Sequence, residues 1–160
     1  MRIGHGYDAH PLKQGRPLVL GGVTVPYQKG LDGHSDADVV IHALCDALLG
    51  ATGLGDIGTY FPSTDESYKD IDSRLLLKQV LNYIRKSNFS IGNVDITILA
   101  QEPKLAEHIP AMKKNLADDL KTDKSLINIK ATTTEGMGFI GRKEGISAHA
   151  VVLIISGVNN

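Results

Sequence analysis

The chain of 160 residues has a net charge of −1, with 42% hydrophobic and 22% charged residues, which predicts one globular domain over residues 1–160. The balanced charge excludes a general affinity for nucleic acids or membrane surfaces, and no apolar run is long enough to span a bilayer. The single cysteine, Cys45, excludes an internal disulfide and favours a reducing compartment, so we expect a cytoplasmic protein, or a plastid protein whose transit peptide has been removed.

Two strands are predicted near the start of the chain. Residues 2–12 are typical of a strand, and we expect Pro11 to break it because proline cannot donate to a β-ladder. Residues 17–25 carry two apolar runs on either side of Gly21-Gly22. Paired glycines inside a strand pattern indicate a bulge, so this segment is predicted to form one bulged strand.

A helix is predicted after a loop over residues 28–36. Ser35 lies three residues before Asp38, a spacing that resembles a capping box at a helix start. The helix is expected to run to about Gly50. The next stretch, 51–69, is rich in Gly, Pro, Ser, Thr and Asp and has no clear periodicity, which predicts a long functional loop.

The rest of the chain alternates between helices and strands, and the last strand indicates the architecture. Its run 150–155 is apolar at every position, so both faces need cover. Helices can cover one face and other subunits the second. We expect an α+β fold, a two-layer domain with a mixed sheet of about five strands and three main helices on one face. The remaining predicted elements are a second helix capped by Asp72 or Ser73 and ended by Asn88, a strand over 94–99, a third helix from the 101–103 turn to about Leu120, a strand over 126–134, a Gly-rich loop over 136–145 and a last strand over 146–155.

Three residues suggest a zinc site. Asp8 and His10 are two residues apart, so on a strand both point to one face, while His42 lies in the first predicted helix. Two imidazoles and one carboxylate on rigid elements can hold zinc with its fourth position open. Asp38 and Asp46, each one turn from His42, are expected to orient it. Each residue also has an ordinary interpretation, as a polar surface residue or a packed core histidine.

Two further segments suggest phosphate binding. Residues 33–36 precede a helix, where free N–H groups favour anions and where His34 and Ser35 add donors. Residues 131–135 place three threonine hydroxyls and a carboxylate at the end of a strand, which suits phosphate oxygens and a hard divalent cation. Lys104 is a candidate phosphate contact. A plain N-cap, a β-favouring threonine run and a solvated lysine explain the same residues without function. These patterns predict metal-assisted chemistry on a phosphorylated ligand but name no substrate.

The chain closely resembles the 2-C-methyl-D-erythritol 2,4-cyclodiphosphate synthase family of the non-mevalonate isoprenoid pathway. The resemblance covers nearly the whole chain, and the combination of its motifs is highly specific although the single pieces are not. The motifs that carry it are 2–10 (RIGHGYDAH), 33–38 (GHSDAD), 54–58 (LGDIG), 61–62 (FP), 93–95 (NVD), 100–104 (AQEPK), 130–135 (KATTTE) and 138–142 (GFIGR).

The resemblance implies a role for each matching residue. Asp8, His10 and His42 would ligate zinc, and His34 and Thr133 would stabilise the transition state. Ser35, Asp56 and Gly58 would hold the methylerythritol phosphate part, residues 100–106 and 132–135 the cytidine diphosphate part, and Glu135 a magnesium or manganese ion. The full implied substrate-binding set is Asp8, His10, His34, Ser35, Asp56, Ile57, Gly58, Phe61, Asp65, Ala100, Lys104, Ala106, Ala131, Thr132, Thr133, Thr134, Glu135, Phe139 and Arg142.

The resemblance also implies an assembly and a reaction. The family is a homotrimer with active sites between subunits, and a cavity near Tyr7, Phe139, Arg142 and Glu144 would take an isoprenoid diphosphate. The implied reaction is attack of the 2-phosphate of 4-diphosphocytidyl-2-C-methyl-D-erythritol 2-phosphate on its β-phosphorus with release of CMP. Two alternatives are a zinc phosphohydrolase and a trimeric protein that only binds an isoprenoid diphosphate.

Overall fold

The computed structural model describes residues 1–157, which form a five-stranded sheet, a two-stranded hairpin and a layer of helices. The strands are β1 (Arg2–Gln14), β2 (Leu18–Leu20), β3 (Val23–Val25), β4 (Lys29–Leu31), β5 (Phe89–Leu99), β6 (Ile127–Thr132) and β7 (Gly145–Ser156). The α-helices are α1 (Val39–Thr52), α2 (Ile57–Tyr60), α3 (Ser73–Lys86), α4 (Ile109–Leu120) and α5 (Gly138–Gly141), and 3-10 turns cover Glu66–Tyr68 and Lys124–Leu126.

The main sheet is mixed, with strand order β4-β1-β7-β5-β6. β5 and β6 run parallel, and every other neighbouring pair in this sheet is antiparallel. The three long helices lie on one face: α1 against β1 and β7, α3 against α1 and β5, and α4 against β6. This confirms the α+β class, the mixed sheet and the single helical layer. The single-domain prediction for 1–160 includes residues 158–160, which lie outside the described part.

Close packing of α1 on β1 depends on two glycines. A Cβ atom at Gly4 or Gly6 would lie 1.8 Å or 1.9 Å from a backbone carbonyl oxygen of α1. Any larger residue would force the helix away from the sheet, because atoms cannot approach this closely. The short separation brings His42 of α1 next to Asp8 of β1.

The sheet face opposite the helices carries exposed apolar side chains. On β7, the residues that face the helices are fully buried, whereas Val151 and Ile155 are 44% and 43% exposed. Ile3 and Tyr7 of β1 are 72% and 46% exposed on the same outer face. His149 lies opposite Tyr7 on the neighbouring strand, and their tilted rings pack with centroids 4.7 Å apart. We call this surface the outer face.

Two predictions about the first strands were wrong. β1 does not break at Pro11 but continues to Gln14. The Pro11 carbonyl accepts from Asp32 at 2.9 Å and the next N–H, of Leu12, donates to Glu144 at 2.8 Å, so the missing proline N–H does not interrupt the strand. Residues 17–25 form the β2–β3 hairpin instead of one bulged strand. The reason is that Gly21 and Gly22 both adopt positive φ, which makes a tight turn.

The start of α1 was also predicted wrongly. The N-cap is Asp38, whose carboxylate accepts from the N–H groups of Val40 and Ile41 at 3.1 Å each. Ser35 instead accepts from the N–H of Ala37, outside the helix. Asp38 can serve as the cap because its two oxygens accept four N–H groups, two from α1 and two from the β2–β3 turn, whereas a serine hydroxyl has only two lone pairs.

Several boundaries differ from the predictions because short elements lack periodicity. The predicted 28–36 loop contains β4, the 51–69 loop contains α2 and a 3-10 turn, and the 136–145 loop contains α5. The second helix begins after Asp72, one of the two predicted caps, and ends at Lys86. The predicted 94–99 strand begins earlier, at Phe89, the third helix begins only at Ile109, and the 126–134 strand ends at Thr132.

Candidate metal and phosphate site

Asp8, His10 and His42 meet as predicted. The three residues each offer one ligand atom, and these atoms lie within 4.8 Å of one another. Oδ2 of Asp8 is 3.1 Å from Nε2 of His10 and 3.0 Å from Nδ1 of His42. All three side chains are partly buried, so a bound cation would keep one side open to the adjoining cavity. The donor set of two imidazoles and one carboxylate fits zinc with an open position.

The histidine nitrogens that face away from Asp8 have partners of their own. Nδ1 of His10 donates to the carbonyl oxygen of Asp32 at 2.8 Å. Nε2 of His42 lies 2.9 Å from the hydroxyl of Ser73 and 3.1 Å from the hydroxyl of Ser35. Hydrogen bonds of this kind fix the rings, so the ligand atoms are held in place before a metal binds.

The cluster shifts the pKa values of its own members. Burial opposes ionisation of Asp8, but hydrogen bonds from His10 and His42 and their charges hold its pKa well below the usual range. Burial likewise opposes protonation of His10, yet its hydrogen bond to Asp8 and the charge of that carboxylate raise the pKa of His10 above its usual value. The site therefore attracts positive charge, whether from protons or from a cation.

Two predicted orienting residues hydrogen-bond to backbone N–H groups and not to the His42 ring. Asp38 is fully buried and binds the backbone of the β2–β3 turn and of α1. Burial and the charge of Asp36 raise the pKa of Asp38 to about 6. Asp46 accepts from the N–H of Ile57 at 2.7 Å and thereby positions α2. Both predictions relied on helical spacing, which places residues on one face but does not say which neighbouring segment they meet.

A cavity of about 240 Å³ adjoins the metal ligands. It brings together six residues predicted to bind substrate, together with His42 and four further residues. His34 donates through Nε2 to the carbonyl oxygen of Asp65 at 3.0 Å, and Asp56 caps α2 by accepting from Thr59 at 2.8 Å. The lining residues are His10, His34, Ser35, His42, Ile57, Gly58, Phe61, Ser63, Tyr68, Ile71 and Leu76.

A second cleft, of about 300 Å³, lies at the ends of β5 and β6. We call it the threonine cleft because Thr132 and Thr133 form one wall. Its size and its mixture of apolar and hydroxyl groups suit a small ligand with a flat ring and a phosphate. Its lining residues are Ala100, Gln101, Pro103, Lys104, Leu105, Ala106, Ile109, Ala131, Thr132 and Thr133, which contain most of the residues predicted for a nucleotide.

The loop after β6 is held mainly by its own hydroxyl groups. Thr133 donates to Oε1 of Glu135 at 3.1 Å, and Thr134 donates to the carbonyl oxygen of Met137 at 2.6 Å. Glu135 adopts a positive φ of 53° and is exposed. One exposed carboxylate cannot hold a cation alone, but it fits magnesium or manganese, which keep several water and phosphate ligands.

The metal ligands and the threonine cleft lie along one row across the sheet but are three strands apart. Strand register places Asp8, Ala148, Ile98 and Ala131 in one row across β1, β7, β5 and β6. Three inter-strand steps amount to about 14 Å, since neighbouring strands lie about 4.8 Å apart. One phosphate group cannot reach both regions of a single chain.

Phe139 and Arg142 lie apart from both regions, by the outer face. Phe139 and Tyr7 line a cleft of about 200 Å³ that also includes Thr134. Arg142 pairs with Glu144 through Nε at 2.8 Å and is exposed. The described part of the chain contains no helix with the length and hydropathy that a membrane span requires.

Comparison with known proteins gives matches over nearly the whole chain. The YgbB family model matches residues 1–155. A 2-C-methyl-D-erythritol 2,4-cyclodiphosphate synthase of Methylococcus capsulatus is 60% identical over 153 residues, which cover 96% of this chain and 97% of that protein.

Solved structures agree with the sequence matches. The bifunctional IspDF of Campylobacter jejuni aligns with a TM-score of 0.92 and 47% identity over 96% of this chain, which spans only 42% of that longer protein. The IspF of Plasmodium falciparum, solved as a CDP complex, aligns with a TM-score of 0.87 and 38% identity over 98% of this chain and 97% of that one.

Proposed function

Because this chain belongs to the YgbB family, we propose that it is a 2-C-methyl-D-erythritol 2,4-cyclodiphosphate synthase of isoprenoid biosynthesis. The observation that carries the proposal is the Asp8–His10–His42 cluster, set beside a cavity of about 240 Å³ in a chain whose residues 1–155 match the family. The substrate would be 4-diphosphocytidyl-2-C-methyl-D-erythritol 2-phosphate and the products the cyclic diphosphate and CMP. The enzyme would then be a phosphorus–oxygen lyase.

The reaction needs positioning more than proton transfer. An oxygen of the 2-phosphate forms a bond to the β-phosphorus, and the bond from that phosphorus to the CMP oxygen breaks with its electron pair leaving on CMP. The attacking phosphate is already anionic near neutral pH, since its second pKa is about 6. The chain must therefore fold a flexible substrate into a ring-closing shape and neutralise its charge, which are the main contributions in phosphoryl transfer.

Each region has a distinct task in this scheme. His34, at the mouth of the cavity, and Thr133, in the threonine cleft, would donate hydrogen bonds to the phosphates as charge builds on them. Asp8, His10 and His42 would hold zinc, and Glu135 would hold magnesium or manganese. Both cations, when bound, supply positive charge that offsets the repulsion between the reacting phosphates. The threonine cleft would hold the cytidine, in keeping with the CDP complex of the Plasmodium falciparum structure.

A homotrimer would complete the site and cover the outer face. The strand spacing places the cavity and the threonine cleft of one chain about 14 Å apart across the sheet. The reacting phosphates, in contrast, are joined in one molecule. A neighbouring copy can bring its own threonine cleft to the cavity of the first. The exposed Ile3, Val151 and Ile155 supply the apolar surface that such packing buries. An isoprenoid diphosphate in the cleft by Phe139 and Arg142, and a cytoplasmic location, stay predictions.

The decisive experiment is CMP release from the substrate in oxygen-18 water, with and without a chelator. We expect chelator-sensitive CMP release and products without oxygen-18, because cyclisation uses no water. A zinc phosphohydrolase would label one product instead. A protein that only binds isoprenoid diphosphates would release no CMP, and either result would overturn the proposed function.

A further inference from the structure

A chain of hydrogen bonds leads from a carboxylate to the far nitrogen of His42. Oδ1 of Asp36 accepts from the hydroxyl of Ser73 at 2.5 Å, and Oδ2 accepts from the N–H of Ser73 at 3.0 Å. The same Ser73 oxygen lies 2.9 Å from Nε2 of His42. On the opposite side of the ring, Nδ1 of His42 faces Asp8. Asp36 and Ser73 were predicted only as parts of a motif and a helix start.

Counting hydrogens along this chain fixes the state of the ring. An ionised carboxylate accepts only, so the single hydroxyl hydrogen of Ser73 goes to Asp36. Ser73 then has only lone pairs left for His42, and Nε2 must be the nitrogen that carries hydrogen. Nδ1, which lies 3.0 Å from Oδ2 of Asp8, is therefore the nitrogen that can give up its hydrogen and offer a lone pair to a cation.

We call the Asp36–Ser73 pair, which leads to His42, the relay. Its two residues are held rigidly by backbone hydrogen bonds between their segments. The N–H of Asp36 donates to the carbonyl of Ile71 at 3.2 Å, and the N–H of Asp70 donates to the carbonyl of His34 at 2.8 Å. Ser73 is fully buried at the first position of α3. Because Ser73 is buried and Asp36 accepts both its hydroxyl and its N–H, the pair can dictate the tautomer of the imidazole beside it.

We propose that Asp36 and Ser73 are positioning residues that make Nδ1 of His42 the metal-binding atom, an inference that rests on the proposed zinc site. His10 is set the opposite way. Its Nδ1 donates to the carbonyl of Asp32, which leaves Nε2 toward Asp8. The site thus presents one histidine through Nε2 and the other through Nδ1, each chosen by the acceptor behind its ring.

Removing the Ser73 hydroxyl should remove the preference for hydrogen on Nε2 of His42. In Ser73→Ala the far nitrogen of His42 keeps only the Ser35 hydroxyl, 3.1 Å away. Ser35 already accepts from Ala37, and its own hydrogen is free to be donated. It can therefore donate to Nε2 and favour the tautomer with hydrogen on Nδ1, where that hydrogen competes with a metal.

The test measures binding of zinc alone, by competition with a chromophoric chelator, in the full-length protein. Loss of a residue that orients a metal ligand typically weakens metal binding 10- to 100-fold. We expect a rise in the zinc dissociation constant of this size for Ser73→Ala. The matched control is Asp72→Ala, which removes the N-cap bond to Arg74 in the same turn but keeps the relay. It should lower the melting temperature and leave the zinc dissociation constant within about twofold.

Long-range proton–nitrogen NMR on the zinc-loaded wild type gives a second readout, independent of activity. It should place hydrogen on Nε2 of His42 and on Nδ1 of His10. Hydrogen on Nδ1 of His42, or a zinc affinity of Ser73→Ala equal to that of Asp72→Ala, would overturn the relay. A wild type that binds no zinc would overturn the relay and the metal assignment together. A wild type that binds zinc but releases no CMP would overturn the proposed function alone, because the zinc and NMR results would still decide the relay.

Discussion

The metal site and the threonine cleft differ in how their side chains are held, although both lie along one row across the sheet. At the metal site every ring nitrogen of His10 and His42 has a partner, and these partners come from three segments of the chain: β1, the loop after β4 and the start of α3. In the threonine cleft, the hydroxyls bond within their own loop, and Glu135 projects into solvent. The first region is held by bonds from several segments, whereas the second is held mainly by bonds within one loop.

This difference follows from what each region must bind. A small cation gives no room for adjustment, so its ligands are best fixed by packing and hydrogen bonds. A long nucleotide substrate must enter, close into a ring and leave, and exposed side chains on a loop permit that. The metal site should therefore respond sharply to single substitutions, and the threonine cleft gradually.

The largest effect is expected from His42→Ala. It removes one of three metal ligands and leaves Asp8 and His10 facing each other with no third donor. Zinc content and activity should be lost together, and activity should fall by roughly a thousandfold or more, since a bound metal supplies several kcal/mol of charge stabilisation. Elemental analysis and a CMP-release assay measure the two quantities.

His149→Ala is the matched control for this substitution. His149 is another partly buried histidine, but its ring packs against Tyr7 and its Nδ1 lies close to His5 on the outer face, away from the metal ligands. Its zinc content should equal that of the wild type. If His42→Ala retained a full equivalent of zinc after dialysis against zinc, the Asp8–His10–His42 cluster would not be the zinc site.

A smaller effect is expected from a charge on the outer face. Ile3→Glu places a carboxylate where an apolar side chain is 72% exposed, and a trimer that buries this position should dissociate. Activity should fall at least about tenfold while zinc content stays unchanged, because the metal ligands all belong to one chain. Light scattering reports the mass.

Leu75→Glu is the control for Ile3→Glu. Leu75 is 47% exposed on α3, in the helical layer that lies on the other side of the sheet. It should leave both mass and activity as in the wild type. A fully active monomer in the Ile3→Glu protein would mean that the threonine cleft needs no neighbouring chain.

The threonine cleft should give a graded response to Glu135→Gln. The substitution keeps the size of the side chain and removes its charge, and charged hydrogen bonds or ligands contribute about 1.5–3 kcal/mol. The magnesium concentration for half-maximal activity should rise by roughly tenfold or more, with zinc content unchanged. Activity titrated against magnesium checks this. Superimposed curves for the two proteins would leave Glu135 as an ordinary exposed residue.

The sequence predicted the long elements and the Asp8–His10 pair because both depend on local patterns, whereas His42, 34 residues from Asp8, was included for its residue type. The amphipathic α3 and the Asp8–His10 spacing are readable within a few residues. The relay from Asp36 to Ser73 joins positions 37 residues apart, and no local pattern indicates which segments will meet. The same limit explains the wrong assignment of Asp46, whose real partner is the backbone of α2. Family resemblance supplied the substrate roles, which spacing alone did not.

The smallest expected effect is a shift in the pH dependence of zinc binding, which distinguishes the metal site from the threonine cleft. Zinc binding requires a neutral His10, but the hydrogen bond and charge of Asp8 outweigh burial and raise the pKa of His10 above about 6.5. A raised pKa means that the ring keeps its proton to a higher pH, so apparent zinc affinity should already fall above pH 6.5 as acid is added. Below that pKa the affinity should fall about tenfold per pH unit for each proton displaced.

The source of this pH dependence can be isolated within the site. Asp8 cannot be the group that titrates, because its pKa lies well below the usual range and it stays ionised through mild acid. Asp32 contributes to His10 through its carbonyl and also through its charge, and Asp32→Asn removes only the charge. That substitution should shift the zinc affinity curve toward lower pH by a fraction of a unit and leave magnesium activation unchanged, since Glu135 belongs to the other region. Zinc dissociation constants measured from about pH 5.5 to 8 with both proteins decide the matter, and a flat curve for the wild type would mean that protons and zinc do not compete for the imidazoles.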